Sequence, residues 1–413
     1  MHTNRRLKLL EKVNNQSIVI LFSGRPLVKT ADQYYDFSVN RNFYYLTNLE
    51  EANMALVMIK VNNQVKKFIF KEIRDEVREL WEGKLLSAEE IFELSKIDEV
   101  KDIKTLHNFI TQITGNTRAN IYGKLTDLYL DLEASNLDSE SYKFIQGVEE
   151  VHPYLKINNL HNDLASLRMI KDSEEINKIK EAIKITNLGL NEIMNSLDKV
   201  NYEYEVEAHY NFILNKNKVT TSFQTIAASG HNATVLHYSK NSDKLNQNDL
   251  ILLDLGVDYQ NYASDISRTY PVSGKFSKRQ KEIYEIVLKA NKETIKMLKP
   301  GVTWKEFNDF SKEILANGLL KLGLIKEKEE LSKYYYHSIG HFLGLDVHDV
   351  GTYQVPLEAG MVVTVEPGLY ISEENIGIRI EDDILITESG AINLSKDIIK
   401  EVSDIEAYMA KNS

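Results

Sequence analysis

None of the 413 residues is a cysteine. That absence excludes disulfides, thiolate nucleophiles, iron–sulfur clusters and cysteine-based zinc sites together, and it fits a reducing cytoplasm. An excess of basic residues is missing too: 50 Lys and Arg stand against 61 Asp and Glu, a net charge of −11. Dedicated DNA- or RNA-binding chains show the opposite balance or a basic segment, so nucleic acid is not an expected partner. Long hydrophobic runs are also lacking. Those present, such as Ile18–Phe22 and Leu250–Leu253, have strand length and fall far short of the roughly 20 residues of a membrane span. Met1 to Leu10 carries Arg5, Arg6 and Lys8 without the apolar run of a signal peptide. These basic residues read as the polar face of a first helix. The expectation is a soluble cytoplasmic protein with no membrane partner.

What is present suffices for buried cores, with 43% hydrophobic residues, and the length predicts about two or three domains. Residues 1–160 read as an α/β domain. Ser17–Phe22, Met54–Ile59 and Val65–Phe70 are strand-like runs between polar turns. Ser87-x-x-Glu90 is a capping box opening a helix with Ile91, Phe92 and Leu94. No dinucleotide fingerprint or phosphate loop occurs there. The Asn-rich stretch Pro153–Asp163 is the candidate linker.

Residues 161–413 read as one unit repeated. Asp172-x-x-Glu175 starts a helix with Ile176, Ile179, Ile183 and Leu190 near one face, and a second helix at about Glu203–Leu214 precedes strands. Ser277-x-x-Gln280 and Thr303-x-x-Glu306 start a comparable pair, again followed by strands. Helix pair plus strands, recurring about 105 residues apart, suggests an internal duplication.

The chemistry lies in those strands. Asp254 sits in the apolar run Leu250–Leu255, and Asp265 follows the turn at Tyr259-Gln260. A hairpin centred there sets the two carboxylates directly opposite each other, a destabilising pairing that calls for a cation between them. Glu366 ends the run Met361–Val365, and Glu381 returns after the polar turn Ser372–Asn375, in a hairpin centred between Glu373 and Glu374. Alternation puts Arg379 on the face of Glu381. Arg268 or Arg379 could satisfy one such pair as a structural accident, but two pairs in apolar strands read as a site. His337, His341 and His348 cluster in sequence, with glycines at 340 and 344 that favour a loop, and His237 ends Ala233–His237. Four carboxylates and an imidazole suit two divalent ions, manganese above a thiolate-loving metal. A two-metal centre can activate a water for hydrolysis without a protein nucleophile, which matches a chain with no cysteine and no Gly-x-Ser-x-Gly elbow.

The ordered set Asp254, Asp265, His341, Glu366 and Glu381 resembles the five-ligand dinuclear site of the pita-bread metallopeptidases over about residues 162–413. The carrying motifs are His237-Tyr238, Asp254-Leu-Gly, Ser264-Asp265-Ile-Ser-Arg-Thr, His337-Ser-Ile-Gly-His341 through His348-Asp349, Val365-Glu366-Pro-Gly and Ile378-Arg379-Ile-Glu381-Asp. Tyr44-Tyr45-Leu-Thr and Leu80-Trp81-Glu-Gly resemble the creatinase-type N-terminal domain of aminopeptidase P and prolidase. The resemblance implies a pita-bread fold with an internal pseudo-twofold repeat. It implies Asp254 on one metal, His341 and Glu366 on the other, and Asp265 and Glu381 bridging. Glu366 would be general base, His337 and His348 would contact substrate and stabilise the tetrahedral intermediate, His237 would line the pocket, and Arg379 would orient a ligand carboxylate.

The reaction implied is release of a residue preceding proline, with Mn2+ favoured and Zn2+ or Co2+ as alternatives. Trp81 matches a tryptophan that closes a neighbouring subunit's site, which implies a homo-oligomer, dimer or tetramer. Around Val148–Lys156 this sequence has no arginine where some aminopeptidase P members carry one that lines the substrate. The rivals are prolidase, acting on Xaa-Pro dipeptides alone, and a catalytically inactive pita-bread binding module, which the loss of a ligand would favour. Methionine aminopeptidase leaves the N-terminal domain superfluous, and a metal-free creatinase does not need all five ligand types.

Overall fold

All four helix starts marked in the sequence form as reciprocal caps. Ser87 and Glu90, Asp172 and Glu175, Ser277 and Gln280, and Thr303 and Glu306 each exchange side-chain and backbone hydrogen bonds. The computed structural model describes residues 1–115 and 122–412. They group into two units, Met1–Leu167 and Arg168–Ser413. Among the described residues no helix is long and apolar enough to cross a membrane.

The first unit is built on a six-stranded mixed sheet ordered Glu99–Asp102, Gln64–Lys71, Ala55–Val61, Ser17–Phe22, Asp127–Leu130, Lys156–Asn159. The central strand Ser17–Phe22 runs antiparallel to Ala55–Val61 and parallel to Asp127–Leu130. Ile18, Ile20, Val57, Phe68 and Phe70 meet Ile110, Phe144 and Val148 in its core. Two readings are corrected here. The stretch 153–163 is not a linker, because Lys156–Asn159 pairs with Asp127–Leu130 as the edge strand. The first helix, His2–Glu11, does not turn its arginines to solvent, and Arg5 and Arg6 are 4% and 1% exposed. They bond carbonyls distant in sequence: Arg5 reaches Tyr45, and Arg6 reaches Leu46 and Ser95. Lys8 alone of the three remains exposed.

The second unit repeats helix pair and strands. Ser173–Ser196 packs on Glu203–Lys216, and Lys278–Met297 on Trp304–Leu322. The first half carries the sheet Ile226–Ser229, Leu250–Leu255, Ile266–Pro271. The second carries Val362–Val365, Asp382–Thr387, Gly390–Asn393, and the ribbon Gly368–Ile371 with Ile376–Arg379. Strands from the two halves converge: Leu250–Leu255 and Ile266–Pro271 both contact Ile376–Arg379.

Candidate metal centre

The first carboxylate hairpin turns one residue later than expected. Tyr259 pairs with Tyr262 across Gln260 and Asn261, both left-handed at φ 51° and 65°, the backbone a two-residue hairpin loop demands. Asp254 therefore faces Ser267, and Asp265 is its diagonal neighbour on the same face. The second hairpin keeps the expected register. Val365 pairs with Asp382 and Gly368 with Arg379, so Glu366 and Glu381 stand across from each other where the ladder breaks at Pro367.

These strand ends and the loop 337–348 enclose a cavity of about 320 Å³. It is lined by His237, Asp254, Asp265, His337, His341, His348, Glu366, Arg379 and Glu381, together with Leu236, Ser338, Gly340 and Tyr353. Trp81 does not line it. That residue lies on Glu76–Glu82 in the first unit and is 86% exposed.

Carboxylate and imidazole atoms crowd together inside. Three overlapping triples, Asp254/Asp265/Glu381, His341/Glu366/Glu381 and Asp265/His341/His348, each hold their ligand atoms within 4.8 Å of one another. His341 Nε2 is 3.3 Å from Asp265 Oδ2 and 3.5 Å from Glu366 Oε1. Its Nδ1 faces the Phe342 carbonyl at 3.0 Å, so Nδ1 carries a proton and Nε2 is the nitrogen turned toward the carboxylates.

Burial, helped by the Asp265 charge and opposed by Arg379, raises the Asp254 pKa to about 6. Burial and the Asp265 and Asp254 charges, opposed by His341 and Arg379, raise Glu366 to about 7. Burial and the Asp265 charge push Glu381 well above the carboxylate range. Burial works against a charged His341, but Asp265 and Glu366 outweigh it and raise its pKa to about 9. So many carboxylates cannot all ionise on protein cations alone. Asp254 Oδ1 is buried without a hydrogen-bond partner. An oxygen-rich donor set, an orphaned carboxylate oxygen and a deficit of positive charge fit divalent cations.

Arg379 works behind the ligand candidates. It donates from Nη2 to Asp254 Oδ2 at 2.5 Å and from Nε to Ser267 Oγ at 2.7 Å, and Ser267 in turn bonds Glu381 at 2.6 Å. From Nη1 it donates to the Tyr370 hydroxyl at 3.0 Å, whose own proton faces His337 Nε2 at 2.9 Å. With Nδ1 on the Ser338 carbonyl at 2.7 Å, His337 is neutral, and burial and Arg379 lower its pKa to about 3. Arg268 has a different duty. It points to the opposite face and pairs with buried Asp382, which also binds Lys400.

Ser267 and Tyr370 were not anticipated. Strand alternation from Asp265 marks Ser267, but Tyr370 needs the register of the second ribbon. Gly368 lies opposite Arg379, and a Cβ on it would meet the Tyr370 hydroxyl, so the missing side chain leaves room for the phenol.

Fold and site together define a metal-dependent hydrolase. The family model for metallopeptidase family M24 matches residues 177–388, and that for the N-terminal domain of aminopeptidase P matches residues 2–122. The chain belongs to metallopeptidase family M24, with the pita-bread fold, and is an aminopeptidase-type metallohydrolase. It is 37% identical to the Xaa-Pro aminopeptidase of Haemophilus influenzae over 98% of this chain and 96% of the relative. Identity to the Escherichia coli Xaa-Pro aminopeptidase is 32%, with the same coverage. Among solved structures, a putative aminopeptidase P from Bacillus anthracis superposes with a TM-score of 0.94 at 44% identity, covering 100% of this chain and 98% of that one. Zinc-substituted E. coli aminopeptidase P in complex with product gives 0.91 at 30% identity, with the same coverage.

Proposed function

We propose that the chain removes the N-terminal residue from peptides with proline in second position. The observation that carries this reading is the convergence of Asp254, Asp265, His341, Glu366 and Glu381 in one cavity with the rings of His237, His337 and His348. The substrate is supported by relatives that align over nearly their whole length and are named Xaa-Pro aminopeptidase.

Asp254, Asp265, His341, Glu366 and Glu381 would hold the two cations between them. Four carboxylates and one imidazole favour manganese, with zinc and cobalt as alternatives. Bound there, two divalent ions supply a Lewis acid and lower the pKa of a water toward about 7. Glu366 takes the proton of the attacking water, as a carboxylate within hydrogen-bond reach of it. The His348 ring has no hydrogen-bond partner among the described residues and is aimed edge-on at His341, centroids 4.2 Å apart. It is the donor to the developing oxyanion. His337, neutral and accepting from Tyr370, and His237 contact the substrate. Arg379 neutralises Asp254 and, through Ser267, orients Glu381.

The substrate bond is suited to such a site. An Xaa-Pro amide has no N–H and a fixed φ, so attack on its carbonyl must proceed without a backbone hydrogen bond at the scissile nitrogen. The helix Glu76–Glu82 buries none of its residues, and Leu80 and Trp81 are 87% and 86% exposed. That exposure supports a homo-oligomer, dimer or tetramer, in which Trp81 closes a neighbour's site.

The test is a comparison of substrates by mass spectrometry on chelated protein reloaded with Mn2+. Release of Xaa from Xaa-Pro-Yaa-Zaa supports the aminopeptidase. Cleavage of Xaa-Pro dipeptide alone means prolidase. Cleavage of neither, with metal bound, means a binding module.

A further inference from the structure

His348 is an exposed ring on a loop, yet its proposed role demands a fixed position. No side chain among the described residues bonds it, so its place is set by its backbone. The next residue is the anchor. Asp349 is buried, with its side chain 1% exposed. It accepts from Arg168 Nη2 at 2.5 Å on Oδ1 and from Lys171 Nζ at 3.0 Å on Oδ2. Arg168 and Lys171 are themselves 3% and 1% exposed in their side chains. Burial raises the Asp349 pKa, but the two cations outweigh it and hold the carboxyl below its ordinary value.

The loop closes around this carboxylate. Asp349 N donates to the Phe342 carbonyl at 2.9 Å, one residue past His341. Gly344 lies against it, where a Cβ would collide with Asp349 Oδ2 and crowd Lys171 Cε. The Gly344 carbonyl accepts from Ala263 N at 2.8 Å, two residues before Asp265. A buried carboxylate held by two buried cations is costly to break and specifies one arrangement. Here it joins the stretch from Arg168 to Lys171, ahead of the helix Ser173–Ser196, to the loop bearing His341 and His348.

We propose that Asp349, clamped between Arg168 and Lys171, is a positioning residue that holds His348 over the reacting carbonyl. The inference rests on the reading of His348 as oxyanion donor. A displacement of about 1 Å in such a group is enough to cost roughly a hundredfold in rate.

Asp349→Asn alone strands two buried cations and risks unfolding. The test variant is therefore Asp349→Asn with Lys171→Met, which removes one charge of each sign and keeps the bond of Arg168 to Asp346 at 2.7 Å. It is compared with His348→Ala and with the combination of all three, on Mn2+-loaded protein with an Xaa-Pro-Yaa substrate. The expected result is a kcat lowered about 10- to 100-fold, KM within about twofold and unchanged metal content. In the His348→Ala background the pair should add no further loss. An additive loss, or a near-normal kcat in the pair while His348→Ala is impaired, overturns the proposal. Near-normal turnover in His348→Ala itself overturns the oxyanion reading on which it rests. Should the pair fail to fold, Arg168→Lys, which keeps the charge and loses the planar donor, carries the same cycle with the same expected non-additivity.

Discussion

The Tyr370 hydroxyl lies 2.9 Å from His337 Nε2, on a ring whose Nδ1–H is fixed by the Ser338 carbonyl. Arg379 donates to the same oxygen at 3.0 Å, so the phenol proton is left for the imidazole. Tyr370→Phe removes the acceptor of Arg379 and the donor to His337 together. The expected outcome is a loss of about 1–3 kcal/mol in stability and a roughly tenfold lower kcat. Urea unfolding and steady-state kinetics check the two effects separately.

Glu366→Gln keeps the size of the side chain and removes its basicity. Turnover should fall by about 10²–10⁴, while far-ultraviolet circular dichroism and the unfolding transition of the chelated protein stay close to those of the parent.

Chelated protein confines Asp254, Glu366 and Glu381 without their counter-charge. Metal bound to the folded state alone stabilises by about 4 kcal/mol at a thousandfold excess over Kd. The thermal midpoint at neutral pH should therefore rise when Mn2+ is added after chelation. Glu381→Gln should abolish most of that rise, as differential scanning fluorimetry would show.

The acid limb of stability should carry the signature of Asp349. Burial raises its pKa and Arg168 and Lys171 lower it further than burial raises it, so the folded value lies below that of the unfolded chain. Its contribution is then fully present above the unfolded carboxylate pKa of about 3.9 and is lost as the pH falls through the folded value. Urea midpoints below about pH 4 should drop more steeply for the parent than for Asp349→Asn with Lys171→Met.

Trp81 touches little within its own unit, so Trp81→Ala should change the unfolding midpoint by no more than about 0.5 kcal/mol. In an oligomer that uses it to close a neighbour's site, the same change lowers kcat/KM. Light scattering and kinetics on one preparation test both.

The local rules of helix capping and strand alternation were readable in the sequence because they depend on neighbours. Ser277 and Gln280 cap each other within three residues, and the Glu366–Glu381 register follows from one polar turn. The first hairpin was misjudged because its turn rests on left-handed Gln260 and Asn261, and Tyr259 is as plausible a turn residue by polarity. Arg5 and Arg6 read as a solvated face, since their acceptors at Tyr45, Leu46 and Ser95 are far away in the chain. Lys156–Asn159 is polar enough to pass for a linker, and only pairing with Asp127–Leu130 reveals it as a strand. Among the site residues, the carboxylates stood out because apolar strands do not tolerate them unpaired. Tyr370 and Asp349 did not, since a tyrosine between Leu369 and Ile371 and an aspartate in a loop are ordinary until their partners are placed.

The central claim is that turnover needs two divalent cations held by Asp254, Asp265, His341, Glu366 and Glu381. The direct measurement titrates Mn2+ into fully chelated protein, following bound metal by elemental analysis and Xaa release from an Xaa-Pro-Yaa peptide in the same samples. The account predicts no release from the chelated chain and activity that saturates as occupancy reaches two ions per chain. Undiminished release from metal-free protein, or two ions bound without any cleavage, would contradict it.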